Sequence, residues 1–289
     1  MASQTPADNK LLAVLYACAA VGIASSGDAA VKWLSGNYPV HQILFIRCLI
    51  GIPILTFIVH RNASFRSLLG PGTGLSLMRA AIMSSAYLAF ILSIAAMPLA
   101  DSVAIYFAMP LFVAVIAGPM LGERVRLHRW IAIIGGFIGV MIMINPGSGV
   151  LEPAALLALY SAIGYAVSQT LARRIVRTVP PATMAFHTNT VYLAVAVSLA
   201  LIFTLLDMGA VQHKSLAFLA RPWQWPPLLD LAAMLLLGAS VAIAMVLFAM
   251  AYKSAESSFV APFEYSAMFW AAALGFLAFG DVPGLRTLW

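Results

Sequence analysis

The sequence predicts an all-α polytopic membrane protein, and three observations predict it. Of its 289 residues 63% are hydrophobic and 9% charged, whereas soluble domains run at about 45–50% apolar and about 25% charged, so a chain of this balance does not stay in water. The apolar residues fall in long continuous runs rather than in the alternating segments of membrane barrels. The charges are confined to short gaps between the runs.

Helices rise 1.5 Å per residue and a bilayer core is about 30 Å thick, so apolar runs of about 17 to 25 residues cross it. Nine spans are predicted, at 11–34, 40–59, 73–96, 100–121, 129–145, 151–174, 182–206, 228–253 and 257–279. The first is no secretory signal with a lipid-modified cysteine, because the apolar run continues past Cys18 and Tyr16 fits a lipobox poorly. The fourth and fifth flank a basic knot, GERVRLHR, at 122–129. Turn signals separate the spans: Asn37-Tyr38-Pro39, Gly70-Pro71-Gly72, Pro98, Asn145-Pro146-Gly147 and Pro180-Pro181. Only the 207–227 gap is long; it reads as an amphipathic loop, with Trp223-Gln224-Trp225 suited to headgroup level. Cys18 and Cys48 lie inside spans, which leaves neither a disulfide framework nor a CxxC metal site.

Basic residues set the expected orientation. With the N-terminus in the cytoplasm, the cytoplasmic gaps hold Lys10, Arg61, Arg66, Arg124, Arg126, Arg129, Arg173, Arg174, Arg177 and Lys253. The opposite side holds Lys214, Arg221 and Arg286. That is the positive-inside pattern of a multi-pass protein of the inner (plasma) membrane.

The two halves repeat. Ala100-Asp101-Ser102 recurs as Ala255-Glu256-Ser257 and Gly122-Glu123 as Gly280-Asp281, while Lys32, Pro39 and Arg47 match Arg173, Pro181 and Asn189 at a spacing of about 141. Two five-helix repeats follow, 1–146 and 147–289, and an odd number of spans per repeat inverts the second copy. The second repeat contains four spans, its fifth, the tenth of the fold, being absent from this sequence. Inverted repeats are a transporter signature, since exchanging the conformations of the halves moves the opening from one face to the other.

Two stretches carry a family resemblance: LFVAVIAGPMLGERV followed by IIGGFIGVMIMINPG, and AMAYKSAESSFVAPFEYSAMFWAAALGFLAFGDVP. A short polar step, a span with a central proline, a closing Gly-Glu and a glycine-rich span resemble the EamA repeat of the drug/metabolite transporter superfamily. The resemblance covers nearly the whole chain and implies a ten-helix transporter. Within the superfamily the chain looks similar to bacterial amino-acid exporters, including those that take aromatic amino acids and paraquat.

Ionisable groups inside spans are costly and are site hypotheses by default. Asp28 and Lys32 are four residues apart and can pair on one helix face, or contact substrate. Arg47, deep in the second span, anchors a substrate carboxylate or binds backbone carbonyls at a helix break. Arg79 is read as snorkelling to a membrane boundary. His187 is a candidate substrate contact and, with Asn189, a candidate interhelical hydrogen-bonder. Glu264, just after Pro262, receives an ammonium group or a coupling proton, or else caps broken backbone. Glu123 and Asp281 at span ends are gate or structural residues, as are Pro110 and Pro262, which break the fourth and ninth spans. Tyr87, Tyr106, Tyr165, Tyr252, Tyr265 and Trp270 are the ring contacts expected around a flat solute. Gly118xxxGly122 and Gly135xxxGly139 read as close-approach motifs.

There is no HExxH, GxSxG, P-loop, HxxxxD or His/Cys cluster of metal spacing, so no enzyme motif is present. The expected function is export of small metabolites, amino acids and flat cations among them, by alternating access, with an intramembrane enzyme or sensor as the alternative. The expected partners are a small-molecule solute and the lipid bilayer, with no cofactor, metal or nucleic acid.

Overall fold

The computed structural model describes residues 10–121, 130–131, 134–135, 138–139, 153–206, 213–254 and 257–281. Its helices are α1 (Lys10–Leu34), α2 (Val40–Asn62), α3 (Thr73–Ala96), α4 (Leu99–Tyr106), α5 (Met109–Leu121), α6 (Pro153–Ile175), α7 (Pro181–Leu205), α8 (Lys214–Ala220), α9 (Leu228–Ser254), α10 (Ser257–Val260) and α11 (Ser266–Phe279). Among the described residues, seven stretches are long and apolar enough to cross a bilayer. The fifth span expected at 129–145 lies mostly outside the described residues, as does the basic knot at 122–129.

Proline and glycine set the helix boundaries as their backbone chemistry dictates. Pro39, Pro98 and Pro180, all in extended or polyproline-like geometry, precede α2, α4 and α7. Gly72 starts α3 at φ +88° and Gly280 ends α11 at φ +66°, a left-handed conformation that disfavours any residue with a Cβ. Two spans are broken, near the prolines expected to break them. The fourth divides between α4 and α5 at residues 107–108, one turn before Pro110, and the ninth passes through a 3₁₀ turn, Ala261–Tyr265, that contains Pro262. The 207–227 gap also differs from the loop expected: it contains α8, whose first turn is capped by His213 accepting from the Ser215 N–H (3.2 Å).

The packing has two-fold character. α3 lies along α6 as α9 lies along α1, α2 and α7 pack on each other, and α5 meets α6 as α11 meets α1. The ends of the bundle repeat the relation. At one end Gln42 exchanges hydrogen bonds with the Gln224 backbone (2.6 and 3.2 Å); at the other the repeat-related Thr183 bonds Ser67 (2.6 Å). Further ties hold the first end. Tyr38 donates to Asp230 (2.5 Å), Arg221 to Ser35 O (2.6 Å) and Ser215 to Leu92 O (2.8 Å). Burial and the Asp230 carboxylate push the Tyr38 hydroxyl up to about 12, so it remains a donor at physiological pH.

Small residues let the helices approach. Ala154, Ala155, Ala158, Ala162 and Ala166 are buried along α6, as expected where packing rather than hydrophobicity drives association. A Cβ on Gly164 would lie 2.8 Å from Ala86, on Gly51 2.9 Å from Asn189, and on Gly238 2.6 Å from the Arg47 carbonyl oxygen. For the expected Gly135xxxGly139 motif, a Cβ on either glycine meets nothing within 4 Å among the described residues. Gly238→Ala should therefore cost about 1–3 kcal/mol through overpacking against backbone, read as a lowered melting temperature in detergent. Gly74→Ala, whose added methyl meets nothing within 4 Å, is the control and should melt as the parent does.

Candidate functional site

Two charge centres form at different depths of the bundle. The first is a lock at the end that carries Tyr38. Lys32, near the C-terminus of α1, forms a salt bridge with Asp281, donates to Met97 O (2.9 Å) and lies 5.2 Å from the Phe279 ring centroid. Asp281 Oδ2 also accepts from the Leu99 N–H (3.3 Å) at the N-terminus of α4, where a negative charge is favoured. The left-handed turn at Gly280 presents Asp281, and its own N–H returns to Gly275 O (3.1 Å). The lock joins α1 and α4 of the first half to the end of α11 in the second.

The Asp28–Lys32 pair expected from spacing is therefore not made. Lys32 faces Asp281, while Asp28 lies within electrostatic reach of Arg47. A four-residue spacing allows a helical pair, but here Lys32 pairs with a residue of another helix and Asp28 feels the charge of Arg47 on α2.

The second centre is a ring-lined chamber. The Arg47 guanidinium, 9% exposed, sits over Tyr87 (4.7 Å) and Tyr192 (5.6 Å), whose rings are 5.3 Å apart. Both rings lie on one side of the guanidinium, each within cation–π range of it. Tyr106 packs on Phe90 (4.9 Å) and Tyr165 (5.6 Å), and Phe107 at the α4–α5 break packs on Tyr265 (5.3 Å). Gln169 donates to the Tyr165 hydroxyl (2.8 Å). Glu264, half-buried, lies within electrostatic reach of Tyr165 and Tyr106. Asp28, Tyr87, Tyr106 and Tyr165 are each half-buried.

Arg47, Tyr87, Tyr106, Tyr165, Asp28 and Glu264 are thus brought together. Other sequence candidates stand elsewhere. His187 has both ring nitrogens engaged, Nδ1 with Ser76 Oγ (2.8 Å) and Nε2 with Leu68 O (3.1 Å), and ties α7 to the start of α3. Asn189 donates to Cys48 O (3.5 Å) and fixes α7 on α2 beside Arg47. Trp270 packs on α1, where a Cβ at Gly22 would come within 3.1 Å of its ring. Tyr265 is 51% exposed. The Tyr252 side chain and Glu123 lie outside what is described. Pro110 and Pro262 sit at the two breaks as expected. Tyr192 was missed by sequence reasoning; its place one turn beyond Asn189 in α7, facing the Arg47 level of α2, was the available signal.

Neutralising the lock should loosen it. In a Cys18→Ala background, Val103→Cys lies buried one turn below Leu99 on the same face of α4. Adding Asp281→Asn should speed its reaction with a maleimide in detergent several-fold, and an unchanged rate would show that the pair does not hold this end closed.

Comparison with known proteins agrees with the fold. The EamA-like transporter family matches residues 11–145 and 152–289. The S-adenosylmethionine uptake transporter of Rickettsia bellii is 22% identical over 265 residues, covering 91% of this chain and 84% of that protein. The riboflavin transporter of Vibrio cholerae is 33% identical over 195 residues, 66% of this chain and 58% of that protein. The pseudopaline exporter CntI of Pseudomonas aeruginosa (strain UCBPP-PA14) is 27% identical over 278 residues, 95% of this chain and 90% of that protein. A crystal structure of a protein at 18% identity superposes with a TM-score of 0.62, over 96% of this chain and 90% of that one, which shows the fold. These relatives move S-adenosylmethionine, riboflavin and pseudopaline, so the likeness to aromatic amino-acid and paraquat exporters narrows to the family they share. An all-helical chain with broken fourth and ninth spans, matched by the family over both halves, belongs to the EamA-like transporter family and is a multi-pass membrane transporter.

Proposed function

We propose that this transporter moves small metabolites that combine a flat ring with a carboxylate and an ammonium group, aromatic amino acids among them, by alternating access between its two inverted repeats. The observation that carries the reading is Arg47 packed against the Tyr87 and Tyr192 rings with Asp28 in reach. A carboxylate finds a planar two-pronged donor, an ammonium finds an acid, and a ring finds π faces to stack on. The relatives support the ring requirement, since S-adenosylmethionine joins an amino-acid group to a purine and riboflavin is a fused flat ring system. Glu264 is the second acid of the chamber, placed for the ammonium or for a coupling proton.

In this reading the conformation is closed at the Lys32–Asp281 end, and opening there requires that pair to part. We assign the closed end to the outside, the N-terminus to the cytoplasm and the protein to the inner (plasma) membrane, on the excess of basic residues at the opposite end. Export is the assigned direction, supported by the pseudopaline exporter, which matches 95% of the chain.

Topology is checked with an impermeant thiol reagent on intact cells. Trp225→Cys, 99% exposed at the outer end, should react, and Leu69→Cys, 90% exposed at the other, should not; the reverse result inverts the assignment. Function is checked in proteoliposomes of the full chain with L-tryptophan, S-adenosylmethionine and riboflavin, with and without a pH gradient. Zwitterions with rings should exchange, and Arg47→Gln should cut their flux about tenfold or more, the loss of a charge-assisted hydrogen bond. Arg47→Lys should recover part of it, because lysine keeps the charge and loses the planar fork. Glu264→Gln should lower flux at matched protein levels. Flux of no ring-bearing solute, or flux indifferent to Arg47→Gln, would overturn the reading.

A further inference from the structure

A long cationic side chain near a membrane boundary ordinarily reaches back to water, but Arg79 turns into the bundle. Its Nε donates to Ser168 O on α6 (3.3 Å) and its Nη1 to Thr188 Oγ1 on α7 (3.1 Å), while Thr188 donates in turn to Met184 O (2.8 Å). Neutral acceptors on two helices thus hold the guanidinium at two of its three nitrogens. A guanidinium has five N–H donors, so most of its capacity is left. On the chamber side Arg79 lies within electrostatic reach of Tyr165 and Tyr192. Among the described residues no carboxylate forms an ion pair with it. A half-buried cation held by neutral acceptors, with donors to spare and tyrosine rings in reach, is suited to pair with an anion.

Its position relative to Arg47 gives this meaning. Arg79 and Tyr87 share a face of α3, eight residues apart, about 12 Å along the axis. Arg47 rests on Tyr87, and Tyr192 lies near both cations. The chamber therefore has a guanidinium at two levels, with tyrosine rings between them. We propose that Arg79 is a second anion station, to which the carboxylate of a ring-bearing solute passes from Arg47, and so determines preference for acids over uncharged or cationic ring compounds. The proposal rests on the carrier reading above.

The test uses the full chain purified in detergent and binding of radiolabelled indole-3-acetate, a flat ring with a carboxylate and no ammonium. In Arg47→Gln protein, residual binding should come from Arg79: adding Arg79→Gln should weaken it about tenfold or more, and adding Arg79→Lys about threefold or less. No further loss on adding Arg79→Gln overturns the station, as does failure of the parent chain to bind indole-3-acetate. Tryptamine has the same ring and no carboxylate; a parallel fall in its binding would show that Arg79 only joins α3, α6 and α7, and also overturns it. In liposomes, Arg79→Gln alone should lower kcat for L-tryptophan exchange with KM little changed, and an unchanged kcat counts against the station. Parent liposomes that move no ring-bearing solute would sink the carrier reading, while the indole-3-acetate titration would still decide on Arg79.

Discussion

A guanidinium buried in an apolar bundle is the constraint on which the rest of the structure depends. Insertion scales put an arginine at mid-span at about 2.5–3.5 kcal/mol unfavourable. Two desolvated cation–π contacts of about 2 kcal/mol each, from Tyr87 on α3 and Tyr192 on α7, offset a cost of that size, and Asp28 on α1 adds its attraction. Three helices are thereby committed to one side chain of α2. The backbone beside it is clamped as well. Gly238 of α9 lies against the Arg47 carbonyl, and Asn189 of α7 bonds the next carbonyl, that of Cys48. Arg47 therefore needs its surroundings to be assembled before it can be buried, and the chamber is the form that assembly takes.

The same helix serves the chamber and the lock. Asp28 and Lys32 stand four residues apart on α1, about 6 Å along its axis. One faces Arg47 and the other Asp281. A helix moves as a rigid body over one turn, so a shift of α1 that alters the electrostatics around Arg47 also alters the geometry at Asp281 and the N-terminus of α4. Under the carrier reading proposed above, this arrangement would couple the solute site to the gate without any long chain of intermediates.

Much of the fold was legible because the bilayer leaves few options. Span positions follow from hydropathy, and Pro39, Pro98 and Pro180 mark helix starts in sequence as they do in structure. The repeat was legible from Lys32, Pro39 and the Gly-acid pairs. Partners across helices were not. The i, i+4 rule pairs Asp28 with Lys32 because local spacing is all that a sequence displays, whereas the packed bundle offers each a non-local partner. Arg79 was misjudged for a related reason: depth along a span can be counted from sequence, but the face it presents to α6 and α7 cannot. His187 was a reasonable candidate by polarity, yet only the fold reveals the Ser76 and Leu68 groups that occupy both its nitrogens. The single glycines 51, 164 and 238, which form no spaced motif, make close approaches that only the fold reveals.

The repeats are symmetric in backbone and asymmetric in chemistry, and that difference separates mechanism from selectivity. The exchange of conformations needs two halves that can each adopt the other's packing, which the paired helices α1 with α9 and α6 with α3 supply. A solute site needs a fixed arrangement of unlike charges. Arg47 is matched in the second repeat by Asn189, which packs beside it across the α2–α7 contact. Two arginines facing each other there would repel in a low-dielectric interior, whereas arginine opposite asparagine leaves one cation with its rings and one neutral clamp for the backbone. At this contact, then, the chemistry of the chamber depends on a position where the two copies differ.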